Sequence, residues 1–523
     1  MELLPIIIIR KIISYLNLFE DRLIVSLLCK RLFTIRDKYI NLFDTNIINE
    51  FNVNKTHFTI HLLSLDKGNQ VDTIIHQLNS MSNLREVELS MGEGPEIWDQ
   101  PLLNPSHPLC TALVDLVKTR AVQLCWKTYS IESSLKHLPL TSLIVSDYYP
   151  SRGDLLPSTL KHLIVKETYV IKHEPSGSLP LPDDLHTLDL TLATNSHFSQ
   201  KELTPGMLPR QLQTLLMGRD MFSDGILPNT LPATLRSIRF GPSFNQPINQ
   251  SVLPSSITSV DFYQNTVYGK DLVDLPSSLT SISLPHYYED TLDHPQLQRL
   301  RIYSKMPKFS RPFPNMKRLR IEILERLSQY DRSFFPVLEC LRIDFRKDKA
   351  DTTLEGVITP NLTRCRLFSK AMFGLTFLVK ELDHIASGVH SLKLGRCSFK
   401  PGFVFPSSIT SLTLWYVRQV KISELPPSIT SLELRLNTWK MEAPPPPTVR
   451  HLTLYFNAGV EEYLDNIPLS NMVLVIIMNR PIMYLKFIRL ADQLFLKCPI
   501  PVPESGGIMS LNDFDSLTNQ GLH

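Results

Sequence analysis

Little charge of either sign is left over in this chain: 54 lysines and arginines against 51 aspartates and glutamates leave a formal +3 over 523 residues. So small an excess disfavours nucleic acid or any other polyanion as a global partner. Cysteine is scarce, seven residues with no Cys-x-x-Cys pair, which argues against a disulfide framework and fits a reducing intracellular compartment, cytoplasmic or nuclear. No apolar run reaches the roughly 18 residues of a membrane helix. The longest near the start, Leu3 to Ile9, is broken by Arg10 and Lys11 and lacks the basic n-region and cleavage site of a secretion signal. Catalytic phrases are missing as well: there is no Gly-x-Ser-x-Gly, no Gly-x-x-x-x-Gly-Lys and no His-Glu-x-x-His, and the histidines are dispersed. These absences predict a non-enzymatic chain with no catalytic residues, no metal, no cofactor and no small-molecule substrate.

What the chain has instead is a repeated phrase. Leu253-Pro254-Ser255-Ser256-Ile257-Thr258-Ser259-Val260 returns as Leu275-Pro276-Ser277-Ser278-Leu279-Thr280-Ser281-Ile282, as Phe405-Pro406-Ser407-Ser408-Ile409-Thr410-Ser411-Leu412 and as Leu425-Pro426-Pro427-Ser428-Ile429-Thr430-Ser431-Leu432. A period of about 22 residues signals a solenoid. Looser copies follow one rule, an apolar anchor i followed by apolar residues at i+3 and i+5, the positions a short strand turns inward. The rule holds from Leu140/Leu143/Val145 through Leu212/Leu215/Met217, Leu297/Leu300/Ile302 and Leu362/Cys365/Leu367 to Leu469/Met472/Leu474, about 16 units in all. Proline fixes φ and withholds a donor, serine bonds nearby backbone, and the Ile-Thr-Ser-Leu run that follows is strand-prone. The fold class expected is α+β: a short helical N-terminal domain, then a leucine-rich-repeat-like solenoid with a long, curved parallel sheet roughly 75 Å in length. Unit spacing is too short for a long crossover helix, so the return leg is expected to be irregular or a single helical turn.

The Leu-Pro-Ser-Ser phrase, with Phe244-Asn245-Gln246-Pro247-Ile248 ahead of one copy, resembles the FNIP-repeat proteins, whose Phe-Asn-Ile-Pro tetrapeptide precedes a Leu-Pro-x-Ser strand. The resemblance covers roughly residues 135 to 475 and implies an interaction module. A second resemblance lies at the N-terminus, where Leu4-Pro5 leads into Ile8, Ile9, Ile12, Ile13 and Leu16 at helical spacing, then Leu23, Leu27, Leu28, Cys29 and Phe33. This stretch resembles an F-box, departing from that pattern at Ile7 and Leu32. About 40 residues cannot bury so much apolar surface alone. The F-box resemblance implies the partner, a Skp-type adaptor joined to a cullin RING ubiquitin ligase. Leu4, Pro5, Ile9, Ile12, Leu16, Leu28 and Cys29 would face that adaptor. A helical cap shielding the first repeat is the other reading of the same segment.

The expected organisation is an F-box-like helical domain over 1–42, a linker with atypical early repeats over 43–134, the solenoid over 135–475, a C-terminal helical cap over 476–500 and a mobile tail over 501–523. Helix-like patterns fall at Val71 to Leu78, Leu109 to Thr119 and Ile482 to Lys497, and a degenerate unit at Leu84/Val87/Leu89. Between the inward positions, i+4 faces solvent, and in five successive units it is Arg301, Arg320, Arg342, Arg366 and Lys393, with Arg299, Arg318 and Arg364 added at i+2. Such a ladder either takes a protein target bearing carboxylates or phosphates or is a solvated face partly neutralised by Glu322, Glu339 and Asp344. The function expected is target recognition for a cullin RING (SCF-type) ligase; a free-standing interaction scaffold is the alternative.

Overall fold

The computed structural model describes residues 57–61, 70–80, 84–90, 105–130, 135–148, 156–169, 181–192, 202–219, 221–262, 265–303, 307–323, 332–345, 361–369, 377–379, 388–399, 404–415, 421–435, 445–455, 474–479, 483–491, 494–499 and 507–510. The F-box-like segment with Leu4, Pro5, Ile9, Ile12, Leu16, Leu28 and Cys29 lies outside them. The described residues of Thr59–Ile75 and Glu86–Ile429 belong to one compact unit, and those of His76–Arg85 and Thr430–His523 to another.

In the larger unit the principal strands, from Glu86–Ser90 to Ser411–Trp415, pair in chain order, each parallel to the one before. The proline, second serine, threonine and apolar positions of the repeated phrase each have work in this ladder. The proline carbonyl closes a tight turn onto the anchor, as Pro254 O accepts from Ile257 N at 3.0 Å and Pro276 O from Leu279 N at 3.0 Å. The second serine reaches back to the previous anchor: Ser256 Oγ donates to Leu235 O at 2.6 Å, Ser278 Oγ to Ile257 O at 2.6 Å and Ser408 Oγ to Val389 O at 2.9 Å. Threonine does the same one residue on, Thr258 Oγ1 to Arg236 O at 3.0 Å and Thr280 Oγ1 to Thr258 O at 3.3 Å. Anchor, i+3 and i+5 then stack inward as apolar columns, with Leu279, Ile282 and Leu284 at 0%, 1% and 0% exposure.

Units without the phrase keep its geometry by substitution. Asn315 and Asn361 stand where the second serine would be, and their Nδ2 atoms donate to Pro295 O at 3.2 Å and Pro336 O at 3.0 Å of the preceding units. The anchors Met316 and Leu338 close their turns on Phe313 O and Phe335 O. Return legs carry tight turns, one-turn 3₁₀ helices at Arg332–Phe334 and Ile422–Glu424, and short parallel strand pairs such as Glu202–Leu203 with Gly225–Ile226.

Helices Gln70–Ser80 and Pro108–Arg120 occupy the first two helix-like windows. Pro108 sits at the first helical position of the second, His107 Nδ1 accepts from Leu109 N at 3.3 Å, and Ala121 ends it in the left-handed region with φ 54°. This helix buries Leu109, Cys110, Leu113 and Leu116 and feeds the strand Gln123–Ser130, whose Leu124 and Trp126 point inward. That unit escaped the i, i+3, i+5 rule because Ala121 occupies the anchor position and the buried anchor is Val122, one residue late.

In the other unit, Ser431–Arg435, His451–Tyr455 and Leu474–Asn479 continue as a parallel run, and Met483–Ala491, Leu494–Pro499 and Gly507–Ser510 then add in antiparallel fashion. The helical cap expected over 476–500 is therefore corrected to an antiparallel meander. The segment Met483–Ala491 (MYLKFIRLA) mixes apolar, β-branched and aromatic residues that suit a strand, and a short apolar run alone does not separate helix from strand. Within the expected tail, Gly507–Ser510 is likewise a strand.

Candidate functional site

The strand register places the predicted basic residues in two parallel rows on the outward face. Arg301, Arg320, Arg342, Arg366 and Lys393 are direct cross-strand neighbours in one row. In the other, Arg299 pairs with Arg318, Arg318 with Cys340, and Cys340 with Arg364. The two rows differ in chemistry. Glu322 and Asp344, at i+6 in their units, are 3% and 1% exposed and lie against the first row. Arg301 and Arg320 donate through Nη2 to Glu322 Oε1 at 2.9 and 2.8 Å, Arg342 Nε donates to Asp344 Oδ2 at 2.9 Å, and Arg320 Nη2 reaches the same Oδ2 at 3.6 Å. Arg301, Glu322, Arg320, Asp344 and Arg342 thus make a zigzag of alternating sign along the first three positions of this row, with the guanidiniums part-buried. Upstream on the same face, Arg239 Nε donates to Asp261 Oδ2 at 2.8 Å. Glu339, expected to join the neutralisation, pairs instead with Lys317 at 3.7 Å on the exposed side.

Aromatics complete the i+6 row. Tyr303 is fully buried, with the Arg301 guanidinium 4.6 Å from its ring centroid. Burial pushes its phenol well above the ordinary range, against the opposing pull of Arg301. Arg366 stands 4.3 Å over Phe368, whose ring meets Trp415 edge-on at 5.3 Å. A Cβ at Gly395 would fall 2.4 Å from Phe368 Cδ1, so the ring lies directly on that backbone. This ledge of Phe368, Gly395 and Trp415 was not read from the sequence as a unit; the signal was present in the column i+6, once the strand frame was fixed.

The second row is exposed. Arg299, Arg318 and Arg364 make no ion pair among the described residues, and neither does half-exposed Lys393. The described residues hold no group of three or more His, Cys, Asp or Glu arranged for a metal ion, and no described helix is long and apolar enough to cross a membrane.

The fold and this face define a repeat solenoid built on a long parallel sheet. The FNIP Repeat family model matches residues 222–264. That stretch holds Phe244, stacked on Phe240 at 4.5 Å, and runs up to Phe262, itself 4.9 Å from Phe240. Over 108 residues the chain is 32% identical to the probable serine/threonine-protein kinase fnkA of Dictyostelium discoideum, an alignment covering 19% of this chain and 13% of that protein. The chain thus spans a small fraction of that relative's length. Among solved structures, YopM from Yersinia enterocolitica WA-314 superposes with a TM-score of 0.29 and 18% identity over 76% of this chain and 79% of its own.

Proposed function

We propose that the chain is the target-recognition subunit of a cullin RING (SCF-type) ubiquitin ligase. In this reading Leu4, Pro5, Ile9, Ile12, Leu16, Leu28 and Cys29 dock a Skp-type adaptor by helix-in-groove packing, the outward sheet face holds a target protein, and transfer chemistry is supplied elsewhere in the complex. The chain itself has no catalytic role. The observation that carries the target-binding half is the outward face of the parallel sheet, where side chains stand in register at strand spacing, as a surface meant to hold an extended macromolecule requires. The adaptor half rests on the F-box-like sequence alone.

The test is co-purification with the adaptor and cullin of three chains: full length, a deletion of residues 1–42, and Leu4→Ala/Pro5→Ala. Retention by the first and loss from the other two supports the ligase reading. A folded full-length chain that retains no adaptor leaves a free-standing interaction scaffold.

A further inference from the structure

The exposed basic row breaks the repeat's own rule. Cross-strand register runs Thr214, Ser237, Ser259 and Ser281, then Arg299, Arg318, Cys340 and Arg364, then Ser391 and Ser411. Where neighbouring units place a hydroxyl, three units place an arginine that is exposed and free of carboxylates among the described residues. The adjacent row shows what this fold does with arginines it intends to neutralise, since Glu322 and Asp344 are buried beneath them. Among the described residues no such partner accompanies Arg299, Arg318 or Arg364, and Lys393 likewise has none there. Like charges at strand spacing repel, and a ligand carrying negative groups would relieve that repulsion.

Spacing then defines that counter-charge. Arg299 and Arg318 sit on adjacent strands, about 4.8 Å apart, close enough to clamp one tetrahedral anion between two guanidiniums. Arg364 and Lys393 sit on adjacent strands further along, Lys393 being two residues on from Ser391, the direct partner of Arg364; this diagonal pair, about 8 Å apart, forms a second prong centred three strand spacings away, about 14 Å across the strands. An extended segment advances about 3.4 Å per residue and returns its side chains to the same side at every second residue. Two anionic groups four residues apart therefore span the same distance on one side of the segment.

We infer that Arg299, Arg318, Arg364 and Lys393 form a two-pronged site for a phosphorylated, extended protein segment whose two anionic side chains stand four residues apart. This deepens the target-recognition half of the proposed function. The prong built from paired arginines takes the phosphate, because guanidinium forks match phosphate oxygens bidentately, and the arginine–lysine prong takes the second negative group.

The test titrates the full-length chain into fluorescein-labelled glycine-rich peptides and reads anisotropy. One peptide carries phosphoserines four residues apart, a second carries them adjacent, and a third is unphosphorylated. The four-apart peptide should bind about tenfold more tightly than the adjacent one, which reaches a single prong, and the unphosphorylated peptide should not saturate. Arg299→Ser/Arg318→Ser/Arg364→Ser installs the residue that neighbouring units carry and should abolish binding with unchanged circular dichroism. Lys393→Ala, which alters the second prong alone, should bring the four-apart peptide down to the level of the adjacent one. Equal affinity for the two phosphopeptides, undiminished binding by the Lys393→Ala chain, or tighter binding of an oligouridylate than of either peptide would overturn the inference. Adaptor retention, scored on the same preparations, separates the two readings. Peptide selectivity without adaptor keeps this site and removes the ligase link; adaptor retention without selectivity does the reverse.

Discussion

Asn265 offers the sharpest test of how the solenoid is held together. Its side chain is fully buried and makes four hydrogen bonds: Nδ2 donates to Gly241 O at 3.0 Å and Phe244 O at 2.7 Å, and Oδ1 accepts from Val267 N at 3.0 Å and Tyr268 N at 2.8 Å. It thus ties one return leg to the previous one beside the Phe240–Phe262–Tyr268 ring stack. Asn265→Ala removes all four bonds and strands two carbonyls and two amides away from water. At about 1 kcal/mol net per bond the loss is about 4 kcal/mol, and more where the abandoned groups find no water. Neighbour-only coupling confines the damage, so the measurement is hydrogen exchange of peptides over 241–268 against peptides over 140–165. The first set should exchange about a thousandfold faster, at ~1.4 kcal/mol per decade, and the second should not change. Asn245→Ala is the contrast: that side chain, half-exposed, accepts a bond from Gly269 N at 3.0 Å, and its loss should matter by less than about 1 kcal/mol. Equal acceleration in both variants, or under tenfold for Asn265→Ala, would refute the reasoning.

The charged face and the ledge make further predictions. Asp344→Asn leaves Arg342 and Arg320 facing a neutral group, and because both guanidiniums are part-exposed the expected destabilisation is only about 1–2 kcal/mol. Adding Glu322→Gln should be less than additive, since Arg320 serves both carboxylates; differential scanning calorimetry of the single and double variants reads the coupling. Gly395→Ala drives a methyl into the Phe368 ring and should lower stability by about 1–3 kcal/mol, a loss that Phe368→Ala in the same chain relieves; urea midpoints of the two chains decide it. Burial pushes the thiols of Cys125 and Cys365 up to about 12, helped at Cys125 by the Glu86 carboxylate. Unfolded thiols ionise near 8.5, so the folded chain holds these protons more tightly, and that contribution, complete below pH ~8.5, declines as pH rises toward 12 by up to about 1.4 kcal/mol per unit for each thiol. Urea midpoints from pH 8 to 9.5 should fall, and Cys125→Ser/Cys365→Ala should flatten the slope.

The inward columns were legible in the sequence because burial imposes a two-residue period that only apolar side chains satisfy, and even Cys365 was placed correctly at 2% exposure. The turn chemistry was legible where proline and serine spelled it out, but not where Asn315 and Asn361 did the same work with a longer side chain. The Val122 unit was hidden by a one-residue shift of its anchor. The strands after Leu474 were read as helix because short apolar runs carry no decisive period. For the basic face, sequence located both rows and named Glu322 and Asp344 among the acids that partly neutralise it. Which arginines they serve was not legible: Glu322 and Asp344, two positions beyond Arg320 and Arg342 on the same outward side, cover part of the charge of Arg301, Arg320 and Arg342. Linear distance along the chain does not reveal that a carboxylate serves the strand next door as well as its own.

The hydroxyl and amide bonds between successive turns share one polarity: Ser256, Ser278 and Ser408, Thr258 and Thr280, Asn315 and Asn361 all donate from a later unit to a carbonyl of the earlier one. As a chain emerges N-terminus first, the acceptors of these side-chain bonds are in place before their donors are made, whereas the backbone ladder runs both ways: Met217 N, Phe240 N and Phe262 N donate forward to Arg239 O, Asp261 O and Ser283 O of the next unit. Cutting such a solenoid at either end therefore opens backbone donors as well as acceptors, and neither direction of shortening is free of that cost.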